Sequence, residues 1–129
     1  MRLGMDRIGE MAVIECQGKI VRSQAAFRLR DAVTSQGQAR VIVLDLTEVH
    51  ALGAEGLDVL MFLQHWAADH AIELKLFNPS RFVRHRLDDA RARSNFKIAT
   101  LHDMVALLAH SEMLIPFKAR ISLATVKQN

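Results

Sequence analysis

The chain has 129 residues, a length that suits one domain rather than two. Half of its residues are hydrophobic and 24% are charged, with 17 Lys and Arg against 14 Asp and Glu, which gives a net charge of +3. This is the composition of a globular protein, and it excludes disorder, collagen and coiled coil as the main architecture. No apolar run approaches the roughly 20 residues that a membrane helix needs. The single cysteine, Cys16, has no second cysteine for an internal disulfide. We therefore expect a cytoplasmic protein without a membrane span.

The weak positive charge does not indicate a nucleic-acid-binding surface. Its densest stretch, Arg81–Arg93, is interrupted by Asp88 and Asp89. Surfaces that track phosphates usually place aromatic rings beside the cations, and this sequence has one Trp and no Tyr. We expect no nucleic-acid partner.

The first half of the chain predicts a hairpin, a helix and a buried strand. Met11–Gln17 is a mostly apolar strand, and a turn before it makes Met1–Ile8 its hairpin partner. Ser23 is the predicted N-cap of a helix. Val41–Leu46 has the apolar character typical of a strand buried on both faces. A loop is predicted from Thr47 to Ala54.

The second half alternates helices with strands. The predicted helices are Glu55 to about His70, Arg81–Ala92 and Asp103–His110, and the predicted strands are Ile72–Phe77 and Phe96–Leu101. Strands that alternate with helices indicate an α/β fold, a mixed but mostly parallel sheet of four to five strands with four helices. We assign residues 1–110 to this domain. Residues 111–129 form a C-terminal extension, for which we expect weak order.

The sequence lacks the residue patterns of a catalytic or metal centre. The six histidines form no HExxH motif and no i, i+4 pair. Cys16 lies in a strand, where a small buried hydrophobe is the ordinary role. The turn Gly53–Gly56 opens a helix, but Glu55 places a negative charge where an anion would bind. We therefore expect no enzyme, no metal and no cofactor.

The helix that starts near Glu55 carries aromatic residues away from its apolar face. At 100° per residue, Phe62 falls on the polar side with Asp58, and Trp66 lies at the edge of that side. Two interpretations are open. Either another segment of the chain covers the ring, or Phe62 is a partner-binding aromatic residue rimmed by acids.

The sequence resembles the STAS domain, the fold of bacterial anti-sigma factor antagonists. The local match runs over Val41–Leu57, where an apolar strand leads into a turn that ends in Gly56–Leu57. Gly18–Ile20 matches an early motif after the second strand, and Pro79 with Phe82–Leu87 matches a later one. The resemblance covers about Ile8 to His110 and implies the fold predicted above.

One position departs from the pattern of the family. Members that are switched by phosphorylation usually carry Asp-Ser or Asp-Thr at this turn. Aligned on Gly56–Leu57, the chain has Gly53 in place of the Asp and Ala54 in place of the acceptor. Ala54 is therefore a degenerate phospho-site, because alanine has no oxygen to phosphorylate. Glu55 either mimics a phosphate weakly or simply stabilises the helix dipole, and we favour the second.

The resemblance implies a non-enzymatic regulator that binds an anti-sigma factor with a kinase-type fold. The expected contact residues are His50, Leu52, Ala54, Glu55, Asp58, Phe62 and Trp66. An alternative is a constitutive STAS subunit of a larger assembly, such as a stressosome-like scaffold or a lipid-transporting ABC system. A small-molecule sensor is a third option, and a homodimer is a further one.

Overall fold

The computed structural model describes residues 1–88 and 96–109. These residues form five strands and four helices. In chain order the elements are β1 (Arg2–Ile8), β2 (Met11–Ile20), α1 (Ser23–Thr34), β3 (Val41–Leu52), α2 (Ala54–Asp69), β4 (Glu73–Phe77), α3 (Arg81–Leu87), β5 (Ile98–Ala99) and α4 (Leu101–Ala109). No helix within the described ranges is long and apolar enough to cross a bilayer.

The strands form one mixed sheet in the order β1-β2-β3-β4-β5. β1 pairs antiparallel with β2, as predicted for the hairpin, and the other three pairings are parallel. The predicted α/β architecture is therefore confirmed. Each parallel connection contains a helix, which is the usual way to link parallel neighbours.

Helices cover both faces of the sheet, and the alternation along the strands decides which face each side chain serves. In β2, Ile14 and Cys16 point into a core built with α1, α2 and α3. Val13 points to the opposite face, where Met104 and Leu108 of α4 complete a smaller core. Both faces of the central strands are thus buried, which explains their nearly continuous apolar sequence.

The predicted loop from Thr47 to Ala54 was wrong, because β3 continues as a strand to Leu52. The sequence signal fails there because the strand is irregular. From Glu15 to Gln17 β2 advances two residues while β3 advances three, from Asp45 to Glu48, and a second shift follows between Gly18 and Lys19. Such bulges interrupt the simple alternation of apolar and polar residues.

The ends of several elements also differ from prediction. Ser23 is the first residue of α1 rather than its N-cap, and the cap residue Arg22 makes no side-chain capping bond. α4 starts at Leu101, before the predicted Asp103, because Thr100 and Asp103 form a reciprocal cap. Ser80 caps α3, and its side chain accepts a hydrogen bond from the Val83 N–H. The predicted end of α3 at Ala92 and the extension 111–129 lie outside the described residues.

Gly56 allows α2 to lie directly against the end of β2. A Cβ at this position would lie 2.3 Å from the Ile20 carbonyl oxygen and 2.7 Å from Leu52 Cδ1. A backbone oxygen cannot move aside as the end of a flexible side chain can. Any larger residue must therefore displace the first turn of α2 from the sheet.

We expect Gly56→Ala to lower the free energy of unfolding by about 2 kcal/mol or more, because overpacking a buried contact forces the backbone apart. Urea unfolding at equilibrium measures this loss. Gly4→Ala is the matched control, since its Cβ would come no nearer than 3.9 Å to Glu15 Cβ. The control should change stability by less than about 0.5 kcal/mol. Equal stability of both variants would contradict the close approach at Gly56.

Burial raises the pKa of the Cys16 thiol to about 12, with smaller contributions from the charges of Asp45 and Glu15. The native thiol therefore stays protonated at pH values near 9, where the thiol of the unfolded chain ionises. Because only the unfolded state then loses a proton, this group lowers stability as the pH rises from about 9 to 12.

We expect iodoacetamide at pH 9 to label Cys16 at least a hundredfold more slowly in the native protein than in urea, because the reactive thiolate is suppressed by burial. Mass spectrometry of timed samples measures both rates. Rapid labelling in native buffer would show that the thiol is accessible and ionised.

Candidate functional site

The start of α2 is fixed to the end of β2 by backbone contacts. Gly53 has the extended conformation of an N-cap. Its N–H donates to the Ile20 carbonyl at 3.0 Å, and its own carbonyl accepts from the Leu57 N–H at 2.9 Å. Ala54 is therefore the first helical residue, and it is exposed. Ala54, which the sequence resemblance aligns with the acceptor position, is thus presented to solvent with only a methyl group.

The end of β3 is held from the other side by residues around α3. Arg86 Nε donates to the Leu52 carbonyl at 3.1 Å, and Ser80 Oγ donates to the Val49 carbonyl at 2.7 Å. Both bonds satisfy backbone oxygens that a bulged strand edge would leave unpaired. The junction between β3 and α2 is thus fixed by contacts to β2 and to the α3 region.

A polar network supports the bulged part of β3. The Thr47 N–H and hydroxyl donate to Asp45 Oδ1 at 3.0 and 2.6 Å, and Asn78 Nδ2 donates to Thr47 Oγ1 at 3.1 Å. Asp45 is only 8% exposed, so its carboxylate depends on such donors. The Thr47 hydroxyl therefore has a structural role, although it is the nearest hydroxyl upstream of Ala54.

Four of the predicted contact residues share one exposed face of α2. We call Ala54, Glu55, Asp58 and Phe62 the exposed stripe. Ala54 and Glu55 lie four and three residues before Asp58, and Phe62 lies four residues after it, so all of them neighbour Asp58 on one helix face. Phe62 is 49% exposed. No segment among residues 1–88 and 96–109 covers this ring fully, so within that part of the chain it is accessible to a partner.

The other three predicted contact residues have different environments. Leu52 is only 5% exposed and packs in the main core, so its inclusion as a contact residue is corrected. Trp66 is half-buried against the same core, and its ring stacks on His70 with centroids 4.7 Å apart. His50 is exposed on β3, where the second register shift leaves it without a paired residue on β2.

Sequence reasoning missed the contribution of α1. A groove of about 330 Å³ runs between α1 and α2. Its lining residues are Ser23, Ala26, Phe27, Arg30, Glu55, Asp58, Val59 and Phe62. Ser23 Oγ donates to Glu55 Oε2 at 2.5 Å and joins the two walls. One sequence signal for this wall was available, since Phe27 lies outside the apolar face of α1 as Phe62 does on α2. In the structure Phe27 is 53% exposed.

The described residues offer no arrangement for metal-dependent or thiol chemistry. Within residues 1–88 and 96–109 no group of three or more His, Cys, Asp or Glu lies close enough to hold a metal ion. The buried Cys16 has its pKa raised by desolvation, which opposes formation of a nucleophilic thiolate. What this surface offers is an aromatic and acidic contact area.

Comparison of the sequence with known families identifies a match over most of the chain. A family model described as STAS domain matches residues 3–106. This range agrees with the extent of the sequence resemblance. No curated protein sequence matches the chain significantly.

Several solved structures share the fold at low sequence identity. The anti-sigma factor antagonist SpoIIAA in its unphosphorylated form matches with a TM-score of 0.68 and 14% identity, over 84% of this chain and 96% of that one. An anti-sigma factor antagonist from Mycobacterium paratuberculosis gives 0.68 and 16%, over 84% and 93%. The Bacillus cell fate determinant SpoIIAA in the phosphorylated form gives 0.64 and 16%, over 83% and 99%. At these identities the likeness establishes the fold alone.

Proposed function

This chain belongs to the STAS domain family, and on that premise we propose that it is a non-enzymatic regulatory protein of the cytoplasm that binds an anti-sigma factor. The contact surface is the exposed stripe of α2 together with His50. The observation that carries the proposal is that Phe62 stands half-exposed in line with Glu55 and Asp58, away from the core that the rest of α2 builds.

An exposed aromatic ring of this kind is typical of a protein interface. Aromatic residues are enriched at the centres of interfaces, where their burial supplies much of the binding free energy. The carboxylates of Glu55 and Asp58 lie on the same face. Polar rims of this type set the orientation and the specificity of a partner.

The structural neighbours of this chain support an anti-sigma factor as the class of partner. Two of them are named anti-sigma factor antagonists, and one is described in a phosphorylated form. A phosphate adds a charge of about −1.5 to −2. The sequence resemblance aligns Ala54, the first residue of α2, with the acceptor position, and its methyl side chain offers no oxygen for that modification. We therefore propose that the domain is permanently competent to bind.

A constitutive subunit of a larger assembly is a second candidate function. The lack of an acceptor oxygen at Ala54 favours it, because a permanent assembly contact does not need a phospho-acceptor. The two candidates differ in the partner: a kinase-type anti-sigma factor in the first, and scaffold or transporter subunits in the second. Identification of the protein that co-purifies from the native host separates them.

The contact surface is tested with single substitutions. The partner is first isolated from the native host on the tagged full-length chain, identified by mass spectrometry and purified. We expect Phe62→Ala to weaken its binding at least tenfold by calorimetry, because truncation of an aromatic hot-spot residue costs about 2 kcal/mol or more. Asp58→Ala should weaken binding as well, with a larger effect at low salt.

The matched control is Phe82→Ala, which removes a ring that is 66% exposed on α3. It should leave the affinity unchanged. Circular dichroism and unfolding curves check that each variant keeps its fold. Wild-type affinity of both Phe62→Ala and Asp58→Ala would show that the exposed stripe is not the contact surface.

Restoring the missing hydroxyl tests whether the binding state is permanent. With the purified kinase-type partner and ATP, we expect Ala54→Ser to gain one phosphate and then to bind more weakly, while the wild type stays unmodified. The physical reason is the new charge placed at the contact surface. Intact-mass spectrometry and calorimetry before and after incubation measure both effects.

Two hydroxyls near the turn serve as internal controls. Thr47 donates to Asp45, and Ser80 donates to the Val49 carbonyl, so neither should take up phosphate. Phosphorylation of the wild type at any residue, followed by release of the partner, would contradict a permanently competent state. Recovery of transporter or scaffold subunits instead of a kinase-type protein would favour the second candidate.

A further inference from the structure

We infer that the groove between α1 and α2 is the docking site for a helix of the protein partner that presents apolar side chains beside a lysine or arginine. The inference rests on the proposed function and deepens it. It adds a second wall, from α1, to the contact surface, and it states the chemistry of the partner segment. The occupant is fixed by the dimensions, the apolar lining and the charge of the groove.

The two walls have the same spacing. On α1 the lining residues begin at Ser23 and end at Arg30, and on α2 they begin at Glu55 and end at Phe62. Each set occupies positions i, i+3, i+4 and i+7 of its helix. Seven residues at 1.5 Å per residue make the groove about 10 Å long. This length matches two turns of a third helix.

The lining is apolar along its floor and aromatic along both sides. Ala26 and Val59 are buried, at 4% and 8% exposure, and form the floor. Phe27 and Phe62 rise from opposite walls, and each leaves about half of its surface in contact with water. An apolar side chain placed between the rings would remove both from water, which is the main source of binding free energy at such sites.

The charges of the groove favour a cationic neighbour. Glu55 and Asp58 place two carboxylates on the α2 wall. These carboxylates outnumber the one cation of the lining, Arg30 on the α1 wall, whose guanidinium lies 4.9 Å from the centroid of Phe27 and pairs with Asp31 at 3.2 Å. A lysine or arginine of the partner, one turn from its apolar side chains, would meet the acidic wall.

The secondary structure of the walls selects a helix over an extended segment. Both walls are helices, and beyond the first turn of each their backbone N–H and C=O groups are bonded within the helix. An extended peptide would bury its own backbone groups without finding partners on such walls, which is costly. A helix satisfies its own backbone and inserts side chains at i and i+4, the usual geometry of helix-in-groove recognition.

The test uses three synthetic helical peptides of 14 residues and the full-length chain labelled with ¹⁵N. The first peptide carries Leu and Phe on one face, flanked by Lys. The second has Glu in place of every Lys, and the third has Ser in place of every Leu and Phe. We expect the first peptide to shift the amide signals of Phe27, Asp58 and Phe62 in a saturable way, and the other two to bind at least tenfold more weakly.

Variants locate the effect. Phe27→Ala should weaken binding of the first peptide at least threefold, because this ring belongs to the α1 wall of the groove, which is not part of the exposed stripe. Phe82→Ala, which removes an exposed ring outside the groove, should leave binding unchanged. The inference is overturned if the first peptide leaves the groove signals unchanged, or if the peptide with Glu binds as tightly.

The same variants separate this inference from the proposed function. If Phe62→Ala loses the purified partner while Phe27→Ala binds it with wild-type affinity, the groove is not the docking site and the proposed function stands. If all variants of the exposed stripe keep the partner, the proposed function fails, and the peptide titration still decides what the groove binds.

Discussion

The candidate site depends on the register in which the parallel strands β2 and β3 end. Ile20 is paired with Leu52, the last residue of β3. Ser23 lies three residues after Ile20, and Glu55 lies three residues after Leu52. Because the two helices start level, the Ser23 hydroxyl reaches the Glu55 carboxylate, and the helix walls that follow run side by side. Shifting one strand by one residue would move its side chains from one core to the core on the opposite face of the sheet, and it would separate these helix starts.

This register is reached through irregular pairing rather than through an ideal ladder. β3 carries one more residue than β2 at each of two shifts, and the residues left between the paired ones need other hydrogen-bond partners. The Asp45 carboxylate accepts from the N–H of Thr47, which lies in the first shift, and Asn78 donates to the Thr47 hydroxyl. Ser80 and Arg86 donate to the carbonyls of Val49 and Leu52, which lie beyond the last residue of β3 that pairs with β4. The buried polar residues of this region therefore have a structural purpose. They hold the end of β3 in the register with β2 from which α2 starts.

The order of elements and the two-faced sheet could be predicted because they follow from hydrophobic periodicity, which is a local property of the sequence. The course of β3 beyond Leu46 could not, because Thr47 and Glu48 break the apolar pattern. The contacts that support them there come from distant residues: Glu48 pairs with Gln17 of β2, and Thr47 is bonded by Asn78. The groove was missed for a related reason. Ser23 and Glu55 are 32 residues apart, so no local pattern relates them. Phe62 stands out in the sequence because it is an aromatic residue outside the apolar face of its helix. The same comparison of side-chain position with the apolar face, applied to Phe27 in α1, identifies the second wall.

The contact between Ser23 and Glu55 also decides how the charge at the start of α2 acts. A phosphate mimic would have to present its negative charge freely beside Ala54. Glu55 instead accepts a hydrogen bond from α1, and its carboxylate lines the groove between the helices. Its position in the first turn also favours the helix dipole. Gly56, which lets α2 approach β2 closely, agrees with the sequence pattern of the family, whereas the resemblance aligns Gly53 and Ala54 with the Asp and the acceptor of that pattern. We therefore regard Glu55 as a wall of the contact surface rather than as a substitute for the phosphate.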